Sequence, residues 1–389
     1  MTTATSSRLP SLTGLRAVGA FLVFAFHVHV MGFVADSGTR SAMEWVFGSG
    51  AVGVSFFFIL SGFVLTWSAR PGHTATGFWR RRLAKIYPNH LVTALVAIGA
   101  AAVTGSLVSL AIVMPNLLLV QAWSPDVAVF FGLNTVSWSL ACEVFFYALF
   151  PLLHRALVRL SPRWLWPAAV GVLGLIWLIP VAAQLLPADD RYWAIWVLPV
   201  ARLPEFVAGM ILARIVSSGR WPALPVWPMV ALAVIAYLLV RWLPVDFRLV
   251  AGTAVPLALL VAAVGAADAG DRGTPRRGDG IGWIPPRAIR PAIWLGEISY
   301  AFYLVHQIVL RVLAKEAGTG HHPLAGLGLA LVALAVAGAG SWLLYRWVEQ
   351  PGMALIGGSR RGRQGLLPVN TTRLARSATR RLRLARLRR

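Results

Sequence analysis

Apolar segments long enough to cross a bilayer recur along almost the whole of this chain, and they leave few folds open. A span needs about 20 mostly apolar residues, and in lipid only helices and closed barrels satisfy their own backbone hydrogen bonds. The apolar stretches between polar breaks predict ten helices, at roughly 15–34, 48–69, 87–104, 138–153, 166–186, 194–216, 225–243, 249–267, 293–314 and 323–347. Composition agrees: 58% of the 389 residues are hydrophobic and 13% charged, where a soluble domain carries about a quarter charged residues. The expected class is an all-α polytopic membrane protein with about ten transmembrane helices. Its first run is too long for the apolar region of a signal peptide, and no small-residue cleavage site follows it, so it is expected to stay as a helix.

The stretch 109–123 is also apolar, and counting it as a span would invert everything after it. Cytoplasmic loops collect Lys and Arg, which decides the matter. With ten spans and a cytoplasmic N-terminus, 28 of the 36 basic residues fall inside, five outside and three within spans. Both termini are therefore expected in the cytoplasm, in a bacterial inner membrane, with 109–123 re-entrant or interfacial. The domain reading is a membrane unit over 1–351 and a basic, disordered tail over 352–389. The net charge of +22 owes much to that tail. Beside a membrane its partner is expected to be anionic lipid rather than nucleic acid. Cys142 is the only cysteine, which excludes an intrachain disulfide and a cysteine metal cluster; no metal is expected.

Against this background the ionisable residues inside spans stand out, because each costs at least ~2.5–3.5 kcal/mol to insert. In "LTGLRAVGAFLVFAFHVHV", Arg16 and His27 are eleven residues apart. At about 100° per residue they share a helix face, some 16 Å apart along the axis, while His29 turns away. One stripe thus joins a cation near the inner surface to a titratable base near the midplane, and histidine suits proton transfer near neutral pH. Further candidates are Glu143 in "SWSLACEVFF", the i,i+3 pair Arg202 and Glu205 in "ARLPEF", and His306 in "SYAFYLVHQ". Arg346 and Glu349, also three apart, read as a structural ion pair. In "FWRRRLAKIYP", Arg80, Arg81, Arg82 and Lys85 precede a helix. They form either an ordinary topology signal or a clamp for the phosphates of a nucleotide-bearing substrate.

Several motifs together resemble the acyltransferase 3 family of membrane O-acyltransferases. They are the Arg-x10-His of the first span, "FFFILSGFVL", "RRLAKIYP", "NTVSWSLACEVFFYALFPLL", "ISYAFYLVH" and the terminal "VEQP", spread over about residues 9–351. "LPSLTGLR", "LSGFVLTWSARPG" and "FWRRRLAKIYP" look closest to actinomycete enzymes that acylate macrolides. The resemblance implies transfer of an acyl group, acetyl in the simplest case, from acyl-CoA to a hydroxyl of a carbohydrate or macrolide-type acceptor. It implies that Arg16 and His27 are the family's Arg and His, and that Arg81 and Arg82 belong to its basic motif. Lys85 stands where the pattern has Arg. Within this expectation Arg80, Arg81, Arg82, Lys85 and Arg16 bind acyl-CoA and His27 is the base. Glu143 or His306 orients it or the acceptor, and Arg202 stabilises the oxyanion. A transporter or flippase of a glycolipid or drug-like molecule, or a scaffold that has lost catalysis, fits the polar midplane residues too. A transporter would predict internal repeats with matching broken helices, and none is visible in the sequence.

Overall fold

The computed structural model describes residues 9–72, 74–103, 108–222, 224–270 and 286–357. They form sixteen helices: α1 Pro10–Met31, α2 Ser37–Phe47, α3 Gly53–Ser68, α4 Ala75–Val103, α5 Leu110–Leu117, α6 Val127–Phe130, α7 Trp138–Arg159, α8 Leu165–Ala183, α9 Ala188–Tyr192, α10 Pro199–Ser217, α11 Val226–Leu239, α12 Val245–Leu249, α13 Ala251–Gly270, α14 Pro286–Ala317, α15 Pro323–Leu344 and α16 Gln350–Leu355. Among the described residues, nine helical segments are long and apolar enough to cross a membrane. The tenth expected span, 225–243, is a shorter apolar helix over Val226–Trp242. The stretch 109–123 yields only the eight residues of α5 and a single 3-10 turn. At 1.5 Å per residue α5 is about 12 Å long, too short to cross. The tail from 358 onward and the loop 271–285 lie outside the described residues.

Two close helix crossings build the frame. A β-carbon on Gly62 of α3 would collide with the carbonyl oxygen of Phe206 on α10, and one on Gly209 of α10 with that of Ile59 on α3. Small residues let membrane helices approach until their backbones touch, the main source of packing energy where lipid is as apolar as leucine. The same device joins α1 to α14: a β-carbon on Gly296 would strike the carbonyl of Thr13. At one end of that crossing, Asp268 of α13 accepts from the backbone N–H groups of Ser11 (3.1 Å) and Leu12 (3.4 Å). A carboxylate there satisfies orphan donors and suits the positive end of α1. At the other end α1 stops at Gly32, whose φ of 68° is left-handed. The following residues bond the α14–α15 turn: Gly320 N–H to Gly32 O (2.9 Å), His321 N–H to Phe33 O (2.7 Å) and Ala35 N–H to His321 O (2.8 Å). Held together at the α14–α15 turn and in backbone contact at Gly296, α1 and α14 have a fixed register.

One expected ion pair is not formed as read. Glu349 is fully buried and pairs with Lys85 of α4, not with Arg346, and it also accepts from Asn89 Nδ2 at 2.6 Å. The backbone over Tyr345–Glu349 is a π turn. Such a turn widens the helix by a residue and undoes the i,i+3 alignment that an α-helix would give Arg346 and Glu349.

Candidate active site

The fixed register of α1 and α14 brings together two histidines 279 residues apart. His306 Nε2 lies 3.1 Å from His27 Nδ1, with ring centroids 5.1 Å apart. His27 Nδ1 also lies 2.9 Å from Val23 O, and His306 Nδ1 lies 3.2 Å from Phe302 O. Backbone carbonyls only accept, so in the neutral pair each Nδ1 carries its proton. His306 Nε2 is then an unprotonated acceptor, and His27 Nδ1–H is shared between it and Val23 O. That network assigns the remaining lone pair to His27 Nε2, which has no protein partner among the described residues. His306 is wholly buried, whereas His27 is half-buried. Phe24 and Phe302 pack against the His306 ring at 6.2 and 5.8 Å and fix its plane.

Toward the arginine-rich end, a cavity of about 60 Å³ is lined by Arg16, Phe57, Ser139, Glu143, Tyr300 and Tyr303, among others. Arg16 and Glu143 therefore share one small space. Tyr303 carries its wall up to one turn before His306, with 5.8 Å between their rings. Glu143 accepts from Tyr147 Oη at 3.0 Å, and Tyr147 Oη lies 3.2 Å from Ser61 Oγ. Ser139 Oγ and Tyr303 Oη are 2.9 Å apart.

The three consecutive arginines do not act on one face, because successive helical residues turn by about 100°. Arg80 and Arg82 border a lateral apolar cavity of about 650 Å³ with Trp79, Tyr87 and Leu118. Arg81 and Arg82 face a different cavity, of about 280 Å³, whose walls also hold Arg70, His154 and Arg155. Among the described residues no carboxylate lines this second space. Arg82 Nε is buried without a hydrogen-bond partner among the described residues. Arg70 and Arg155 were not singled out by spacing. The available signal is that both sit at span ends on the arginine-rich side, which the sequence alone does not separate from topology bias. Lys85 is turned away, into its pair with Glu349.

Arg202 is likewise absent from the lining of the Arg16–Glu143 cavity. Its side chain is entirely enclosed and bonded: to Glu205 Oε2 at 2.6 Å, Trp196 O at 2.8 Å and Ser55 Oγ at 3.0 Å. The rings of Trp196, Phe58 and Trp138 stand 4.6, 5.0 and 5.9 Å from its guanidinium carbon. Leu198, extended at ψ 120°, interrupts the helix before Pro199 and leaves the Trp196 carbonyl in reach. Among the described residues no cluster of three or more His, Cys, Asp or Glu could hold a metal.

The chain belongs to the acyltransferase 3 family, whose profile, described as an acyltransferase domain, matches residues 9–346. It is an enzyme that transfers acyl groups and a multi-pass membrane protein. Among curated proteins it is similar to acyltransferase MdmB of Streptomyces mycarofaciens, 39% identical over 377 residues, covering 91% of this chain and 94% of that one. It is also similar to the exopolysaccharide production protein ExoZ of Rhizobium meliloti (strain 1021), 31% identical over 277 residues, 69% of this chain and 79% of ExoZ. No solved structure matches.

Proposed function

We propose that the protein transfers an acyl group, acetyl in the simplest case, from acyl-CoA to a hydroxyl of a macrolide-type or carbohydrate acceptor. The observation that carries this reading is the tautomer pattern, which leaves one lone pair, on His27 Nε2, to receive a proton. The acceptor O–H gives its proton to that nitrogen as its oxygen attacks the thioester carbonyl. The C–O bond forms, the C–S bond breaks, and the proton passes to the departing CoA sulfur. His306 is a positioning residue, holding the His27 ring through Nδ1. Such a base contributes about 10²–10⁴-fold.

On the donor side, Arg70, Arg81, Arg82 and Arg155 hold the CoA phosphates, for which several guanidinium forks and no carboxylate are a suitable lining. The pantetheine arm passes Arg16 and Glu143 toward His27, a distance of about 16 Å along α1. Lys85 and Arg202 are structural in this scheme, the first tying α4 to the turn after α15, the second tying α10 to α3. Resemblance to actinomycete enzymes supports a macrolide acceptor; similarity to an exopolysaccharide protein supports a carbohydrate. Both ends of the chain are cytoplasmic and the protein resides in the plasma membrane. Single cysteines at Ser124 and Gly270 in a Cys142→Ser background should label from opposite sides; labelling from one side would overturn that topology. For the reaction, purified protein with acetyl-CoA and a panel of macrolides and glycosides should yield an acylated product by mass spectrometry. No product with any of them counts against acyl transfer to these classes.

A further inference from the structure

The stretch 109–123 enters the bundle without crossing it, and a space remains beneath its tip. His90 Nε2 of α4 donates to Asn116 O at 2.9 Å and fixes how deep α5 reaches. Leu119, left-handed at φ 56°, then turns the chain back. Between this tip and the arginine-rich end lies the lateral cavity of about 650 Å³, with Leu118 and Leu119 as its roof. Leu83 and Tyr87 of α4 and Val144 and Tyr147 of α7 form its walls. Leu83, Leu118 and Val144 are exposed, so the cavity opens sideways onto lipid. Its volume falls within the range of about 300–1,000 Å³ typical of ligand sites. Water suits such a space poorly, because a held water needs two to four polar partners.

One end of this apolar space is charged. Arg80 and Arg82 border it, and among the described residues its lining holds no carboxylate and Arg80 forms no ion pair. Along α4, His90 lies about 15 Å from Arg80, half of a hydrocarbon core of about 30 Å. The space therefore has the height of one leaflet, with its cations at the headgroup end. Trp79 stands at that end, a depth that tryptophan favours. Its Nε1 donates to Tyr147 O at 2.9 Å and ties α4 to α7 beside the opening. We propose that an anionic phospholipid from the leaflet on the arginine-rich side occupies this cavity. One acyl chain lies against Leu83, Tyr87 and Val144, and the phosphate sits on the exposed guanidinium of Arg80, whose fork matches phosphate oxygens. A soluble anion would leave the apolar walls bare, and an uncharged apolar molecule would leave the cations unpaired. Arg82 borders this cavity and the neighbouring one of about 280 Å³, so the lipid seals that space from the bilayer side. The proposal requires only that the bundle lies in a membrane, and stands apart from the identity of donor and acceptor.

The test uses full-length protein, stripped of lipid in detergent and given equal amounts of palmitoyl-oleoyl phosphatidylglycerol and phosphatidylcholine. Native mass spectrometry should show phosphatidylglycerol retained about fivefold or more over phosphatidylcholine, the effect of one cation on an anionic lipid. A photoreactive phosphatidylglycerol should label peptides of α4, the α5 tip and α7 in the wild-type protein. Arg80→Gln should abolish the preference between the two lipids. Leu83→Trp, which narrows the cavity from α4, should lower retention of both by about fivefold or more. Arg159→Gln, at an exposed arginine of α7 outside the cavity lining, should bind as wild type does. Equal retention of the two lipids by the wild type, or labelling confined to other helices, would overturn the proposal whatever the variants do. An undiminished preference in folded Arg80→Gln would do the same. So would displacement of the lipid by palmitoyl-CoA or by erythromycin, which would give the cavity to the donor's chain or to the acceptor.

Discussion

Two polar pairs lie deep in the apolar helices, and they are built in opposite ways. In Arg202–Glu205 each guanidinium nitrogen has a partner, three aromatic rings wrap it, and the pair is sealed from its surroundings, although Glu205 Oε1 has no partner among the described residues. In His27–His306 one ring is sealed and saturated while the other keeps a nitrogen unbonded and remains half-buried. Both cost desolvation energy. Only the second leaves a group with chemistry still to do. An ionisable pair in a membrane span therefore marks a functional site when it keeps an unbonded atom within reach of a substrate, and a structural one when it is sealed.

The largest expected effect falls on the closed pair. Arg202→Ala leaves Glu205 buried and uncompensated, and breaking a buried pair costs about 3–5 kcal/mol. Thermal unfolding in detergent should show a large loss of stability or failure to accumulate folded protein. Arg202→Met with Glu205→Leu should recover much of it, because the isolated charge is gone. A stable, fully folded Arg202→Ala protein with slow turnover would instead move Arg202 into the reaction.

The open pair should behave in reverse. His27→Ala is expected to lower kcat by about 10²-fold or more at near-wild-type stability, with acyl-CoA still bound. His306→Gln should cost less, on the order of tenfold, because the base survives but its ring is no longer held at Nδ1. Substantial turnover in folded His27→Ala would transfer the role of base to another group, with Glu143 the next nearest candidate on the donor's path.

How much of this contrast was legible in the sequence follows from distance along the chain. The Arg16–His27 stripe and the Arg202–Glu205 pair are local, read from helical periodicity, and the Arg202–Glu205 pair forms as read. The His27–His306 contact joins residues 279 apart. It depends on Gly296 letting α14 sit against the backbone of α1, which no spacing rule reveals. The Lys85–Glu349 pair was missed for a related reason: a π turn defeats the i,i+3 rule, and the true partner of Glu349 lies 264 residues away. Arg70 and Arg155 join Arg81 and Arg82 only because α3, α4 and α7 converge at one end. A run of basic residues in sequence cannot announce which of its members will face one cavity.

The donor cavity gives a smaller, more selective prediction. Arg81→Ala with Arg82→Ala should raise the KM for acyl-CoA by about tenfold or more and leave that for the acceptor unchanged. Cations that grip phosphates far from the reacting carbonyl bind ground state and transition state alike, so kcat should move little. Arg80→Ala, on the lateral face, should affect donor KM less than Arg81→Ala. Equal effects at 80 and 81 would mean that the loop acts through general charge rather than through one cavity.

The smallest expected effect is the sharpest control on the comparison. His29 is two residues beyond His27 on the same helix, about 200° around the axis, so His29→Ala removes the same imidazole from the same helix without touching the His306 contact. Turnover should stay within about twofold of wild type. A general weakening of α1, or loss of a nonspecific buffer near the site, would depress both alanine variants together. Only a base at His27 separates them, because His27 alone is held through Nδ1 with Nε2 left to take the proton. If His29→Ala proved as slow as His27→Ala while both proteins unfolded at the wild-type temperature, the open pair would lose its special standing. The difference between a reachable unbonded nitrogen and a sealed pair would then no longer mark the catalytic centre.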